Sequence, residues 1–173
     1  MNAIEVGILE LIATRRERRA ARDLPALAEL FRRLAACAAL EADDTEERIW
    51  GVWMHHPHRA AAAVLDAATR DIAARRYDIA ETRLTGLLRA APLYAEAWHK
   101  RATLYYLLDR DAECLHDLRR TLELEPRHFA AMLHFAEILL GEGAAAEARY
   151  AFAAALTLNP HLPRARDALA DKA

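Results

Sequence analysis

Glycine and proline are scarce in this sequence, which has five glycines and six prolines among 173 residues. The glycines form no phosphate-binding loop motif, and the sequence has no His-Glu-x-x-His pair and no nucleophile elbow. Runs of β-branched and aromatic residues are also few, whereas alanine contributes heavily to a hydrophobic fraction of 54%. The sequence therefore lacks the common phosphate-binding and hydrolase motifs, and its composition predicts a single all-α domain.

Cysteine is rarer still, because only Cys37 and Cys114 occur. Two cysteines so far apart are too few for a disulfide framework or a zinc site, so we interpret both as small packed residues. Long apolar runs are absent as well, and no segment approaches the roughly 20 residues that cross a membrane. Residues 1–20 are apolar before they are basic, the reverse of a secretory signal, which predicts a cytoplasmic location.

An excess of charge of one sign is lacking too, since the net charge is −2. The one basic cluster is interleaved with Glu17 and Asp23 and consists of Arg15, Arg16, Arg18, Arg19 and Arg22. We interpret it as a solvated helix face, and a phosphate or lipid contact is the alternative. Nucleic acid is not expected as a partner, because phosphate contacts usually need a concentrated basic surface.

A regular period is the main feature that the sequence does contain. Pro92, Pro126 and Pro160 lie 34 residues apart, each at the end of a similar pattern rich in alanine and leucine. The period divides the chain into three units, 61–94, 95–128 and 129–162. Such a period is typical of stacked helical pairs, in which one pair buries its apolar face only against the next.

Small residues recur at two fixed places in these units, where two helices are expected to cross closely. They are Ala68, Ala102 and Ala136 at the first place, and Ala80, Cys114 and Ala148 at the second. With large residues such as Trp98 and Tyr105 between them, this pattern resembles the tetratricopeptide repeat. The resemblance implies a right-handed α-solenoid of three helix pairs, no enzymatic activity, and a concave groove that binds a peptide or helix of a partner protein.

The repeats are flanked by two further segments. Residues 1–60 are predicted to form an N-terminal helical prelude that packs on the array, and 163–173 a C-terminal capping helix. We expect the prelude to cover the outer face of the first unit, because that face would otherwise expose apolar surface.

Within the prelude, the sequence predicts three helices. An isoleucine stripe at Ile4, Ile8 and Ile12 indicates the first, over about 3–20. Pro25 is expected to open the second. The acidic segment EADDTEER should then break that helix, with its threonine capping a third that stops before the proline of HHPH.

The prelude and the repeats share a second resemblance. The stretches LAELFRRL and RIWGVW, followed by the blocks AEAWHKRATLYYLLDR and LELEPRHFAAM, resemble a group of proteobacterial tetratricopeptide-repeat proteins. The resemblance implies that prelude and repeats form one unit, and it supplies no activity. Members of that group are often exported, whereas this sequence shows no export signal.

Two charged residues break the repeat pattern. Arg101 and Asp71 stand where large apolar or aromatic residues are usual. We predict that they form a structural ion pair at the seam between neighbouring first helices, because an unpaired buried arginine would cost several kcal/mol. The alternative is that Arg101 reaches the groove and binds a carboxylate.

The first helix of each unit is expected to line the concave groove. The predicted partner-binding residues are Leu65, Thr69, Ile72, His99, Lys100, Thr103, Tyr106, His128, Leu133, Glu137 and Leu140. This mixed set suits an amphipathic helix or an extended peptide, with Tyr106 and His99 as the main candidates. Repeat proteins that clamp chaperone tails carry lysines and asparagines at such places, so that function is not expected. A further possibility is that a terminal helix of the same chain fills part of the groove.

Three functions remain open from the sequence. The first is a non-enzymatic adaptor or assembly factor that binds a protein segment in the groove. The second is a structural subunit, joined through its N-terminal helices to itself, as a homo-oligomer, or to a larger complex. The third is a metal-dependent enzyme that uses His55, His56 and His58, which we disfavour because Pro57 prevents a helix from aligning these rings. No cofactor and no metal are expected.

Overall fold

The structure is a computed structural model that describes residues 1–21 and 24–170. The described residues contain ten helices: α1 Ala3–Ala13, α2 Pro25–Ala36, α3 Ala39–Met54, α4 Arg59–Ala73, α5 Tyr77–Ala90, α6 Ala95–Leu107, α7 Asp111–Leu124, α8 Phe129–Gly141, α9 Ala145–Leu156 and α10 Pro163–Ala170. None of these helices is long and apolar enough to cross a membrane. The predictions for Arg22, Asp23 and the last three residues of the capping segment fall outside the described residues.

Six of the helices form three consecutive pairs, α4–α5, α6–α7 and α8–α9. The two helices of a pair pack along each other, and the second helix of one pair packs on the first helix of the next. Small residues at the crossings permit this close approach, since Ala68, Ala102 and Ala136 are all fully buried. The helical solenoid predicted from the repeat period is confirmed.

The turn inside each pair places one residue in the left-handed region of backbone space. These residues are Arg75, Asp109 and Gly143, with φ of 57°, 54° and 78°, and they occupy the same place in successive units. Glycine adopts this conformation without steric cost. A residue with a Cβ atom does so at a cost of roughly 1–2 kcal/mol, so the first two units tolerate strain that the third avoids.

The prelude differs from its predicted course in two ways. Helix α1 begins at a capping box formed by Asn2 and Glu5 but ends at Ala13, well short of residue 20. The segment EADDTEER does not break a helix, because it lies inside α3. Thr45 is not a cap either, since it is fully buried and its hydroxyl donates to the carbonyl of Glu41 at 3.0 Å. Asp43, Asp44 and Glu47 are exposed to water, while Thr45 packs on the core.

The prelude wraps around the second and third pairs from one side to the other. Helix α1 packs on the second helices α7 and α9 and buries Ile8 and Ile12 completely. The chain then crosses the ends of these helices, where Arg18 donates to the carbonyls of Leu122 and Glu123 at 3.0 and 2.8 Å. The amide of Ala21 donates to the Leu124 carbonyl at 2.7 Å, after which α2 and α3 lie on the opposite side.

The outer face of the first pair is left open by this path. We expected the prelude to cover that face, and this expectation is wrong, because α1 packs on the second and third pairs instead. Within the described residues, the prelude borders this face at the junction of His56, Pro57 and His58. At the other end of the array, α10 packs on α9 and buries Ala165.

Candidate functional site

Helix α3 lies on the face of the array that the sequence assigned to the groove. Its tryptophans, Trp50 and Trp53, are three residues apart and share one face of the helix. Trp53 stacks on His128 with 4.2 Å between ring centroids, and Trp50 lies 5.8 Å from His99. Phe129, the first residue of α8, lies 6.2 Å from Trp50 and 5.2 Å from Trp53. The N-terminal half of this face, formed by the starts of α6 and α8, is therefore filled by a helix of the same chain.

Three of the predicted partner-binding residues are closed to a ligand. Leu65 and His128 are fully buried, and His99 is 3% exposed. Their assignment as contacts for a partner is thus corrected: His99 and His128 contact α3, and Leu65 packs in the core of the first pair. The paired tryptophans of α3 are the feature of the sequence that indicates this packing.

Five other predicted residues remain partly exposed beyond α3, and we call them the open strip: Thr69, Ile72, Thr103, Tyr106 and Leu140. The Tyr106 ring stacks on His134 at 5.7 Å, which fixes its orientation. Leu140 is 49% exposed. The open strip therefore presents apolar contact area next to the two threonines.

The three remaining predicted residues have partners inside the chain. The Lys100 ammonium lies 4.8 Å above the Trp50 ring. Glu137 accepts a hydrogen bond from Arg164 of α10 at 2.6 Å, and Leu133 packs against the core. These residues border the open strip. The Lys100 contact connects α6 to α3, and the Glu137 contact connects α8 to α10.

A buried carboxylate lies beneath the α3 tryptophans. Glu96 is 1% exposed, and its Oε2 accepts a hydrogen bond from His128 Nε2 at 2.9 Å. The Lys100 ammonium lies 3.2 Å from its Oε1, and His99 Nδ1 lies 3.6 Å from the same atom. Burial alone would raise the pKa of Glu96, but the contacts with His128 and His99 hold this pKa well below its usual range. The carboxylate is therefore ionised and compensated by its neighbours.

Glu96, His99 and His128 also have the composition of a metal site, since one ligand atom from each lies within 4.8 Å of the others. Their hydrogen bonds indicate a different role. His128 Nδ1 accepts the backbone N–H of Ala131 at 3.2 Å, so Nε2 carries the ring proton that it donates to Glu96. A nitrogen that binds a metal must be unprotonated, and Lys100 already compensates the carboxylate. The three residues fit a buried polar cluster around the Glu96–Lys100 ion pair better than a cation site.

The two charged residues that break the repeat pattern are both paired, but not with each other. Arg101 donates to both carboxylate oxygens of Asp117 at 2.6 and 3.0 Å. Asp71 accepts hydrogen bonds from Arg76 at 2.6 Å and from Arg83 at 2.8 Å. The predicted Asp71–Arg101 pair is therefore wrong. Asp117, on the second helix of its unit, pairs with Arg101 of the same unit. Asp71 pairs with Arg76 in the turn and with Arg83 on the second helix of its own unit, so these ion pairs do not cross the seam.

The histidines considered for metal chemistry form part of the junction between α3 and α4. The Nδ1 atom of His56 accepts the backbone N–H of His58 at 3.1 Å. The His56 ring also packs on Tyr94, with 4.7 Å between ring centroids. This local hydrogen bond gives His56 and His58 a structural role at the point where the prelude meets the array.

The fold and this surface define a class of protein: a stack of helical repeats in which the face formed by the first helices of the pairs is half filled by the chain's own N-terminal prelude. No known family model matches the sequence. Over 76 residues, the chain is 34% identical to a TPR repeat-containing protein of Rhizobium etli. The match covers 44% of this chain and 37% of that protein, so the chain spans little more than a third of this relative.

Among solved structures, the chain is similar to the first tetratricopeptide-repeat domain of Spaghetti (RPAP3), determined with the HSP90 peptide SRMEEVD. The TM-score is 0.61 at 20% identity, and the alignment covers 67% of this chain and 92% of that domain. This likeness shows the fold. Together with the Rhizobium relative, it confirms the resemblance to tetratricopeptide-repeat proteins.

Proposed function

We propose that the protein is a non-enzymatic interaction module, an adaptor or assembly factor that binds a helix or extended peptide of a partner protein along the open strip. The observation that carries this proposal is the packing of α3 on the face formed by the first helices of the pairs, which we call the first-helix face. Half of the first-helix face already holds a helix through the stacking of Trp53 on His128 and the contact of Lys100 with Trp50. The open strip continues this face and offers Tyr106 as a rigid side chain with a polar tip, a type enriched in binding hot spots.

A protein segment is supported as the ligand class by the solved neighbour, whose ligand is an HSP90 peptide. We do not propose a chaperone tail for this chain. Trp50 lies against His99 where a clamp would need exposed cationic side chains, and Leu65 is fully buried. A partner segment of apolar and polar character fits the open strip better than one with several carboxylates.

The alternative function, a structural subunit joined through its N-terminal helices, has less support. It needs exposed members of the isoleucine stripe on α1. Ile8 and Ile12 are instead fully buried against the array, and Ile4 packs against the same core. The apolar face of α1 is therefore used inside the chain.

The test is affinity capture from the native cell extract with a Thr103→Arg, Tyr106→Ala double variant. A matched control is Tyr150→Ala on α9, because Tyr150 is 46% exposed and lies away from the open strip. We expect one or more proteins to be enriched by the wild type and the control and lost with the double variant, while circular dichroism shows that all three are folded. A set of captured proteins that the double variant retains would contradict binding at the open strip.

A further inference from the structure

The outer face of the first pair carries an apolar groove that no element of the described chain fills. Its walls are formed by Val64 on α4 and by Gly86, Leu87 and Ala90 on α5, and its volume is about 880 Å³. Leu93 borders the groove and is 57% exposed. An open apolar groove of this size is the kind of surface that marks an interaction site.

The other units show which ligand shape this groove fits. Because the repeat period is constant, Val64 corresponds to Met132, and Gly86 corresponds to Ala154. In the third unit, α7 packs on α8 and α1 packs on α9. There Met132 is 0% exposed and Ala154 is 5% exposed. The fold thus closes this surface with helices in the third unit and leaves it open in the first. A helix is the shape that fits the groove.

Charge distinguishes the first pair from the rest of the chain. Residues 59–93 contain six arginines and four carboxylates, whereas the whole chain has a net charge of −2. Arg83 lines the groove, and none of the described residues that line it is acidic. Asp71, the carboxylate that binds Arg83 within the described residues, is shared with Arg76. One positive charge therefore remains uncompensated beside the apolar groove.

We propose that this groove docks an amphipathic helix of a partner protein that carries carboxylates beside its apolar stripe. The apolar stripe would cover Val64, Leu87 and Leu93, and the carboxylates would face Arg83 and the exposed Arg89. A second copy of this chain fits less well, because two such faces packed together would oppose their arginines. This surface lies on the outer side of the first pair, apart from the open strip, and the inference does not depend on the proposed function.

The test uses two synthetic helical peptides of about 16 residues, long enough for measurable helicity. Both carry the same leucine and alanine stripe, one flanked by glutamates and the other by lysines. Fluorescence anisotropy measures their binding to the wild type and to Gly86→Gln. The control is Gly141→Gln on α8, because an added Cβ atom meets no atom within 4 Å at either glycine. Both variants should therefore fold, while only the first places a side chain in the groove.

We expect the glutamate peptide to bind the wild type about tenfold more tightly than the lysine peptide at low salt. Gly86→Gln should weaken this binding about tenfold, since its side chain occupies space that the peptide needs, and Gly141→Gln should leave it unchanged. Equal binding of the two peptides, no binding of either, or full binding to Gly86→Gln would each overturn the proposal. A dimer in sedimentation that Gly86→Gln dissociates would also overturn it, because a second copy would then be the occupant.

Discussion

The turn inside each helix pair contains one residue with a positive φ, and the type of that residue determines the backbone strain. Gly143 allows this strain to be measured. Gly143→Ala should lower the free energy of unfolding by about 1 kcal/mol, because alanine is strained at a φ of 78°. The control Gly86→Ala should raise it by about 0.5–1 kcal/mol, since Gly86 lies inside helix α5. Neither new methyl group meets an atom within 4 Å, so the backbone alone separates the two outcomes. Urea denaturation measures both values, and changes of the same sign would contradict this account.

Individual charged residues show what the sequence could and could not predict about ion pairing. The repeat register identified Arg101 and Asp71 correctly as exceptions that need partners. It could not choose those partners, because Asp117 lies 16 positions after Arg101 and Arg83 lies 12 after Asp71, on second helices whose rotation the period does not specify. The register locates a residue within its own helix, whereas ion pairing depends on how two helices face each other.

Among the elements, α3 has the most specific role, because it fills half of the first-helix face. Trp53 is 5% exposed and contacts His128 and Phe129, so Trp53→Ala should lower the free energy of unfolding by about 3–5 kcal/mol. We also expect the amides of α3 to exchange faster with deuterium, while those of α9 stay protected. Hydrogen exchange followed by mass spectrometry distinguishes the two helices. Protection of α3 that the variant leaves unchanged would show that Trp53 does not hold this helix in place.

The helices also differ in how well the sequence predicts them. Helices α4 to α9 follow from a period that repeats three times, so each unit supports the assignment of the others. Helix α3 occurs once, and its acidic segment EADDTEER is predicted from the sequence to break a helix, which is wrong. Only the burial of Ala42, Thr45 and Ile49 on one face shows that this segment is helical. That burial depends on contacts with residues distant in sequence.

For the whole molecule, the buried histidines predict a loss of stability in acid. Burial and the neighbouring His128 lower the pKa of His99 to about 3, and burial also lowers the pKa of His134. The unfolded chain therefore binds more protons than the folded one as the pH falls below about 6.5, so stability decreases from there towards pH 3. Glu96 acts in the same direction below its ordinary value of 4.5, because its folded pKa is lowered.

Urea denaturation at several pH values measures this effect. Each histidine that stays neutral in the folded state contributes a slope of about 1.4 kcal/mol per pH unit. His99→Leu should make the curve between pH 6.5 and pH 5 shallower than that of the wild type. The control is Leu107→Ala, because Leu107 is 49% exposed and has no ionisable group, so the slope should stay unchanged. An equal slope in His99→Leu and the wild type would show that His99 does not titrate on unfolding.

The wrapping of the prelude also bears on how the chain is made. A ribosome synthesises α1 before the repeats, yet Arg18 and Ala21 bond to carbonyls of residues 122–124, and Arg15 donates to Thr157 at 2.7 Å. The surface that covers Ile8 and Ile12 does not exist until α7 and α9 have emerged. Helix α1 is therefore translated well before the helices that cover it, and its apolar stripe spends that interval of synthesis without its native cover.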